Sequence, residues 1–403
     1  MGSLSRLEWP ASLDVSSLLA MGWLPLPFRE FIVKVHSRCD LSCDYCYMYE
    51  MADQSWRSQP RTMSAETAEL TAQRIGEHAI AHGLPGITLI LHGGEPLLAG
   101  RDLIARLVTA TRRAAGSGTA VTVQVQTNGV GLSEAYLSFF EEHGVMIGVS
   151  VDGDADAQDR HRRFASGRGS SVPVAAALRR LQRFPHLYSG LLCTIDLRND
   201  PVRTYQALTG YAPPKIDFML PHGTWAAPPP GRDTDPARTP YADWLIEVFD
   251  HWYPKPLTRV RLFEEIMQLL LGGDSDSETV GLAPAQMVVI ETDGTVEQVD
   301  TLKAAFAGAT ATGLHVASDP LDAALLLPQM AARQIGVRAL SAQCRVCSIH
   351  TVCGGGMYSH RYREGTGFAN PSVYCPDLIT LISHIRNRIR ADLTARVTRK
   401  AAG

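Results

Sequence analysis

FIVKVHSRCDLSCDYCYMYE, residues 31–50, starts as an apolar, β-branched run and then turns at His36 into a loop bearing Cys39, Cys43 and Cys46. The run reads as a strand, and C-x3-C-x2-C follows directly at its C-terminal end. Three thiolates can hold three irons of a four-iron cluster and leave one iron without a protein ligand. An open coordination position is what a catalytic metal needs. The plain alternative is a structural zinc site with His36 as fourth ligand.

Outward from this stretch, short strands are expected over residues 87–91, 121–126, 146–151, 190–195 and 216–220. Amphipathic helical stretches lie between them over 65–81, 103–114, 134–143, 174–183 and 202–208. Ser64 is the expected N-cap of the first helix, with Glu66 complementing its dipole. Strand–helix repetition at this spacing means parallel strands joined by helical crossovers. Six units, against the eight of a closed barrel, predict an open partial (β/α)6 TIM-like barrel over residues 28–225, with its site at the C-terminal strand ends. An extension over 1–27 precedes it. The Pro-rich stretch AAPPPGRDTDPARTP opens a linker over 226–281 that includes two helices, 241–252 and 262–271. A small Gly-rich domain over 282–376 and an amphipathic closing helix over 377–403 complete the chain, a membrane-surface helix being the alternative for the last.

With 38 basic and 41 acidic residues the formal charge is −3, which argues against a nucleic-acid binder driven by phosphate contacts. No run approaches the roughly 18–20 apolar residues needed to span a membrane. The N-terminus lacks the pattern of a secretory signal, so the expected location is cytoplasmic. Eight cysteines in a reducing compartment point to metal binding or catalysis. Cys193, alone in an apolar strand, reads as a buried inert thiol.

The other cysteines form a second set. CRVCSIHTVCGGGMYSHRYREGTGFANPSVYC, residues 344–375, carries Cys344, Cys347, Cys353 and Cys375. Four thiolates need no external ligand and suit a structural or electron-transferring cluster, with zinc as the competitor. Polar motifs also mark the ends of the later strands: HGGEPLL at 92–98, QTNG at 126–129 and GVSVDG at 148–153. Gly93 and Gly94 would let backbone approach a ligand closely, and Glu95 can accept a bond from an ammonium. QDRHRRFASGR, residues 158–168, adds Asp159 and offers Arg162 or Arg168 to a carboxylate.

In this order the motifs resemble the radical S-adenosylmethionine (SAM) superfamily, whose signature is this cysteine spacing with an aromatic residue, here Tyr45, before the last cysteine. The resemblance implies a [4Fe–4S] cluster on Cys39, Cys43 and Cys46 whose open iron is chelated by SAM. It implies cleavage of SAM to a 5′-deoxyadenosyl radical that takes hydrogen from a substrate C–H bond. Gly93, Gly94 and Glu95 would serve the SAM amino group, Gln126, Asn128, Ser150 and Asp152 its ribose and nearby polar atoms, and Arg162 its carboxylate. The second set resembles the SPASM extension of peptide-modifying radical SAM enzymes. Met357 and Val299 stand where that extension has further cysteines, so the resemblance implies one auxiliary [4Fe–4S] cluster instead of two. In the related anaerobic sulfatase-maturating enzymes an Asp directly after the upstream cysteine is the catalytic base. That implies Asp300 for the role, the alternative being a turn carboxylate beside Lys303.

PFREFIVKVHSRCDLSCDYCYMYEMADQSW, HGGEPLLAG, IDFMLPHGTW and DGTVEQVDTLK look like FxsB-type maturases, which form three-residue cyclophanes in ribosomally made peptides. The resemblance implies a ribosomal precursor peptide as substrate and an external electron donor of flavodoxin or ferredoxin type. A β-carbon radical would add to an aromatic ring, with His222 and Trp225 placed to contact the peptide, core packing being the alternative for Trp225. Another peptide modification (formylglycine formation, thioether formation or epimerisation) is the alternative, and a zinc-stabilised, non-enzymatic binding protein is the other.

Overall fold

The computed structural model describes residues 8–402 apart from 234 and 276. Residues 1–7 of the expected extension, 234 and 276 of the expected linker, and 403 at the end of the closing helix lie outside the described residues. A run of parallel strands alternates with helices, as the strand–helix repetition requires. The strands are β1 (Glu30–His36), β2 (Gly86–Gly93), β3 (Ala120–Thr127), β4 (Val145–Ser150), β5 (Tyr188–Thr194) and β6 (Lys215–Met219), with a short β7 (Arg259–Val260) at the edge. The apolar strand centres define this sheet: Phe31, Val33, Leu89, Leu91, Val123, Val125 and Ile147 are at most 1% exposed. Ser64 caps the helix Ala65–Ala81 by accepting from Thr67 N–H. Gly76 in that helix meets the next crossover helix, Arg101–Ala115. A Cβ there would lie 2.5 Å from the carbonyl carbon of Ala114, so only glycine permits this helix–helix contact.

The later strands bring one departure from expectation. β8 (Met287–Ile290), β9 (Thr295–Glu297) and β10 (Ala311–His315) continue the barrel sheet, in the order β10-β9-β8-β1-β2-β3-β4-β5-β6-β7. β8 pairs in parallel with β1, Phe31 opposite Val288, and β9 and β10 follow antiparallel. β1 thus has a partner on each side, β2 and β8. Nothing in the four-residue run MVVI names its partner, because the pairing joins segments far apart in the chain. The helix Ala155–His161 is a second addition, capped by Asp154 accepting from Ala157 N–H. The closing helix Cys375–Ala402 buries Leu378, Leu381, Ile382 and Ile385 and packs against the helices Pro240–Trp252 and Arg261–Leu270, so its apolar stripe faces protein.

Candidate active site

The loop after β1 presents Cys39, Cys43 and Cys46, each half-buried. Arg38 fixes the start of this loop. Its guanidinium donates to the carbonyls of Trp56 (2.8 Å) and Gln59 (3.3 Å) and to Ser37 Oγ (2.7 Å), and lies over the Trp56 ring at 5.0 Å. The Tyr49 hydroxyl donates to the Ser37 carbonyl at 3.0 Å and ties the far end back. The three cysteines border a cavity of about 100 Å³ walled by the ends of β2, β3 and β4. Gly93, Gly94, Gln126, Asn128, Ser150 and Arg162 all line it, as does His92. Gln126 Nε2 donates to Ser150 Oγ at 2.9 Å, and Asn128 Nδ2 donates to Asp40 at 2.7 Å beside Cys39.

Four residues expected at the SAM site have other duties. The close approach permitted by Gly93 and Gly94 is made first by the cysteine loop. A Cβ on Gly93 would sit 2.1 Å from the His36 carbonyl oxygen, and one on Gly94 1.9 Å from the Tyr49 hydroxyl. Glu95 is 1% exposed and lies outside the cavity lining. Its carboxylate accepts from Leu97 N–H (3.0 Å), the Thr127 hydroxyl (2.7 Å) and Asn128 N–H (2.8 Å), tying β2 to β3. Burial outweighs those bonds and pushes its acid up to about 7. Asp152, also 1% exposed, accepts from the Tyr45 hydroxyl, Arg162 Nε (2.9 Å) and Thr194 N–H (3.1 Å). It therefore anchors Tyr45 and Arg162 from behind. Arg168 points elsewhere, over Phe164 at 4.4 Å, and Asp159 accepts from the backbone and hydroxyl of Ser171.

A buried charge network adjoins the cavity. Asp300, 3% exposed on the turn Asp300–Ala304, has Oδ1 2.6 Å from Lys34 Nζ and Oδ2 3.8 Å from His92 Nδ1. Lys34, in the middle of β1 and 0% exposed, also meets Glu291 at 2.6 Å. Lys303 meets Glu291 (3.1 Å) and Glu297 (2.9 Å), so Asp300's direct partner is Lys34. Burial works against ionised Glu291, but Lys34 and Lys303 hold its carboxyl well below the usual range. His222 stands against Tyr47 (ring centroids 4.8 Å) and His360 (5.6 Å), and burial lowers its imidazole to about 4. Trp225 donates to the Pro371 carbonyl at 2.8 Å between the guanidinium groups of Arg232 and Arg363, which makes it part of the packing. Lys34, Glu291 and His92 were not singled out from sequence, although a lysine inside FIVKV was a readable anomaly.

The second cysteine set closes on itself. Cys344 and Cys353 are buried, and Cys353 belongs to the main core. Gly354, Gly355 and Gly356 all take left-handed φ values of 61°, 80° and 70°, and a Cβ on Gly354 would overlap the Gly281 carbonyl oxygen at 1.5 Å. Arg361 clamps this turn by donating to the carbonyls of Gly354 and Gly356, both at 2.6 Å. Val299 packs against an apolar cluster of Leu302, Tyr358, Tyr362 and Phe368.

Both donor sets fit a cationic metal group. Burial pushes the Cys43 thiol up to about 12 and raises Cys39 and Cys46 as well, so a bare thiolate there is disfavoured without a bound cation. Burial does the same at Cys353, up to about 11, and at Cys375, up to about 12.

Residues 33–191 match the family model described as the radical SAM superfamily. The chain is similar to the serine-type anaerobic sulfatase-maturating enzyme of Klebsiella aerogenes, 25% identical over 351 residues that span 85% of this chain and 82% of the relative. It is also similar to the cysteine-type anaerobic sulfatase-maturating enzyme of Clostridium novyi, 25% identical over 66% of this chain and 71% of the relative. Among solved structures, native anSMEcpe with bound AdoMet and Cp18Cys peptide superposes with a TM-score of 0.76 at 19% identity, over 91% of this chain and 99% of that one. Streptococcus suis SuiB bound to the precursor peptide SuiA gives 0.57 at 12% identity, over 89% and 78%. A parallel sheet that opens its C-terminal strand ends onto three loop cysteines agrees with that match, and the chain has the radical SAM α/β fold.

Proposed function

We propose that this chain is a radical SAM maturase that oxidises a peptide or protein substrate at a side-chain β-carbon. The observation carrying this reading is the Asp300–His92 pair set beside the cavity of Cys39, Cys43 and Cys46. When bound, the cluster and SAM supply a primary carbon radical that removes one hydrogen atom from the substrate. Arg162, anchored by Asp152, is placed for the SAM carboxylate, with Gln126, Asn128 and Ser150 for its other polar atoms. The Lys34–Asp300–His92 array offers a proton acceptor for the loss that must follow. Cys344, Cys347, Cys353 and Cys375 would hold one further cluster as one-electron acceptor, and a flavodoxin- or ferredoxin-type protein would supply reducing electrons. No helix among the described residues is long and apolar enough to cross a membrane.

Two fates of the carbon radical remain distinct. Oxidation to an aldehyde, as in formylglycine formation, is favoured by the names of the relatives. Crosslinking to an aromatic ring rests on the FxsB-like motifs alone. Anaerobic incubation with SAM, reductant and β-deuterated peptides tests both, and deuterium should appear in 5′-deoxyadenosine. A product that reacts with a hydrazide supports the aldehyde, and one whose backbone fails to fragment across a short window supports the crosslink. Deuterium arriving from an α-carbon would overturn the β-carbon assignment.

A further inference from the structure

Asp300 sits poorly for meeting a substrate. It is 3% exposed, one oxygen is held at 2.6 Å by Lys34, and the other faces His92. His92 is better placed. Its side chain keeps 22% exposure and lines the cavity, while its Nδ1 is sealed from solvent, makes no hydrogen bond among the described residues and lies 3.8 Å from Asp300 Oδ2. The buried nitrogen therefore looks to Asp300, and the opposite ring nitrogen Nε2 is the one left for the cavity. This arrangement has the logic of a carboxylate orienting an imidazole base: the acid fixes the tautomer and stabilises the imidazolium, and the ring takes the proton.

We infer that His92 is the catalytic base of the oxidation proposed above, with Nε2 receiving the substrate proton, and that Asp300 is a positioning residue acting through Nδ1. After hydrogen abstraction the substrate carbon carries one unpaired electron, which in crosslinking moves onto the ring as the new C–C bond forms. The X–H bond next to it (a hydroxyl or thiol in oxidation, a ring C–H after crosslinking) breaks and gives its proton to Nε2. Its electron pair joins the carbon centre to form the new double bond, and the surplus electron leaves to an oxidised iron–sulfur cluster, the acceptor class suited to the second cysteine set. The groups facing His92 are Asp300, Lys34 and Glu291. Burial lowers the imidazole below its ordinary value, Lys34 lowers it further, and the anions of Asp300 and Glu291 oppose both. A neutral ring is thus available at neutral pH, and capacity to accept a proton is lost as pH falls through the folded-state value.

The inference rests on the proposed function, and two measurements on the anaerobically loaded enzyme separate their failures. In the first, His92→Gln should lower product formation about 10²–10⁴-fold, the usual worth of general-base assistance. Iron content, SAM binding and peptide-stimulated 5′-deoxyadenosine formation should stay within a few-fold, and the acid limb of the product-rate profile should vanish. Added imidazole should restore His92→Ala, and it should not restore Asp300→Ala. In the second, carbethoxylation of His92 against pH, followed by peptide mapping, needs no turnover. His92 should react, and its midpoint should fall in Asp300→Asn because the neighbouring anion is gone. A wild-type enzyme that modifies no peptide overturns the functional reading. A His92→Gln enzyme that forms product at the wild-type rate, or a His92 inert to carbethoxylation at every pH, overturns the base.

Discussion

Cys39, Cys43 and Cys46 lie half-buried on a loop whose shape is set by other residues, whereas Cys344 and Cys353 are 8% and 9% exposed, and Cys353 is itself part of the core. The first loop is braced by Arg38, Tyr49 and the close approach of Gly93 and Gly94, so its sulfurs border open space. The second set is braced by a triple-glycine turn and Arg361 and borders packed side chains. Equal ligand chemistry thus serves two ends. A set of three thiols next to a cavity leaves a metal one open position, and a set of four, with Cys344 and Cys353 buried and Cys347 and Cys375 half-buried, supplies a full complement of ligands.

Removing either set of thiols separates the two roles. Cys39, Cys43 and Cys46 changed together to Ala should abolish SAM cleavage outright and remove about half the iron, from roughly eight per chain with two four-iron clusters. The melting temperature should hardly move, since the loop keeps its own braces. Iron assay and calorimetry check both. Changing Cys344, Cys347, Cys353 and Cys375 to Ala should do the reverse in kind: the other half of the iron goes and soluble, folded protein is lost with it. Should this variant melt like wild type, the second cluster is an electron carrier without structural weight.

A smaller effect probes the network beneath the first set. Lys34→Met should destabilise by about 3–5 kcal/mol, the range for leaving a buried carboxylate unpaired, here Asp300, since Glu291 keeps Lys303. Denaturant titration of the loaded protein measures it. The smallest effect belongs to the eighth cysteine. Cys193, 1% exposed in β5 with burial raising its thiol, should tolerate Ala at a cost of about 1 kcal/mol. Iron content and SAM cleavage should be unchanged.

Much of this was legible because it is local. The helices Ala65–Ala81 and Glu134–His143 fall at the bounds that amphipathic periodicity indicates, the first with its expected Ser64 cap. Even the missed helix Ala155–His161 carries a readable cap in Asp154. The cysteine spacing marked the cavity, and QTNG and GVSVDG brought Gln126, Asn128 and Ser150 to it. Glu95 and Asp152 were harder, because an acid at a strand end reads the same whether its oxygens face a ligand or neighbouring N–H groups. The Lys34–Asp300–His92 array was illegible as a unit, being assembled by the pairing of β8 with β1 and by the turn after β9. A resemblance had to nominate Asp300, and it did so without naming the lysine that holds it.

That same β1–β8 pairing governs how the chain is made. β1 ends at His36, and its second neighbour begins only at Met287. At synthesis rates of about 5–20 residues per second, β1 waits roughly 12–50 s with one edge bare. Unpaired apolar edges recruit other strands, so the nascent barrel is a natural client for chaperones. Fragments that stop before β8, including the 33–191 segment alone, carry that bare edge permanently and should aggregate on expression.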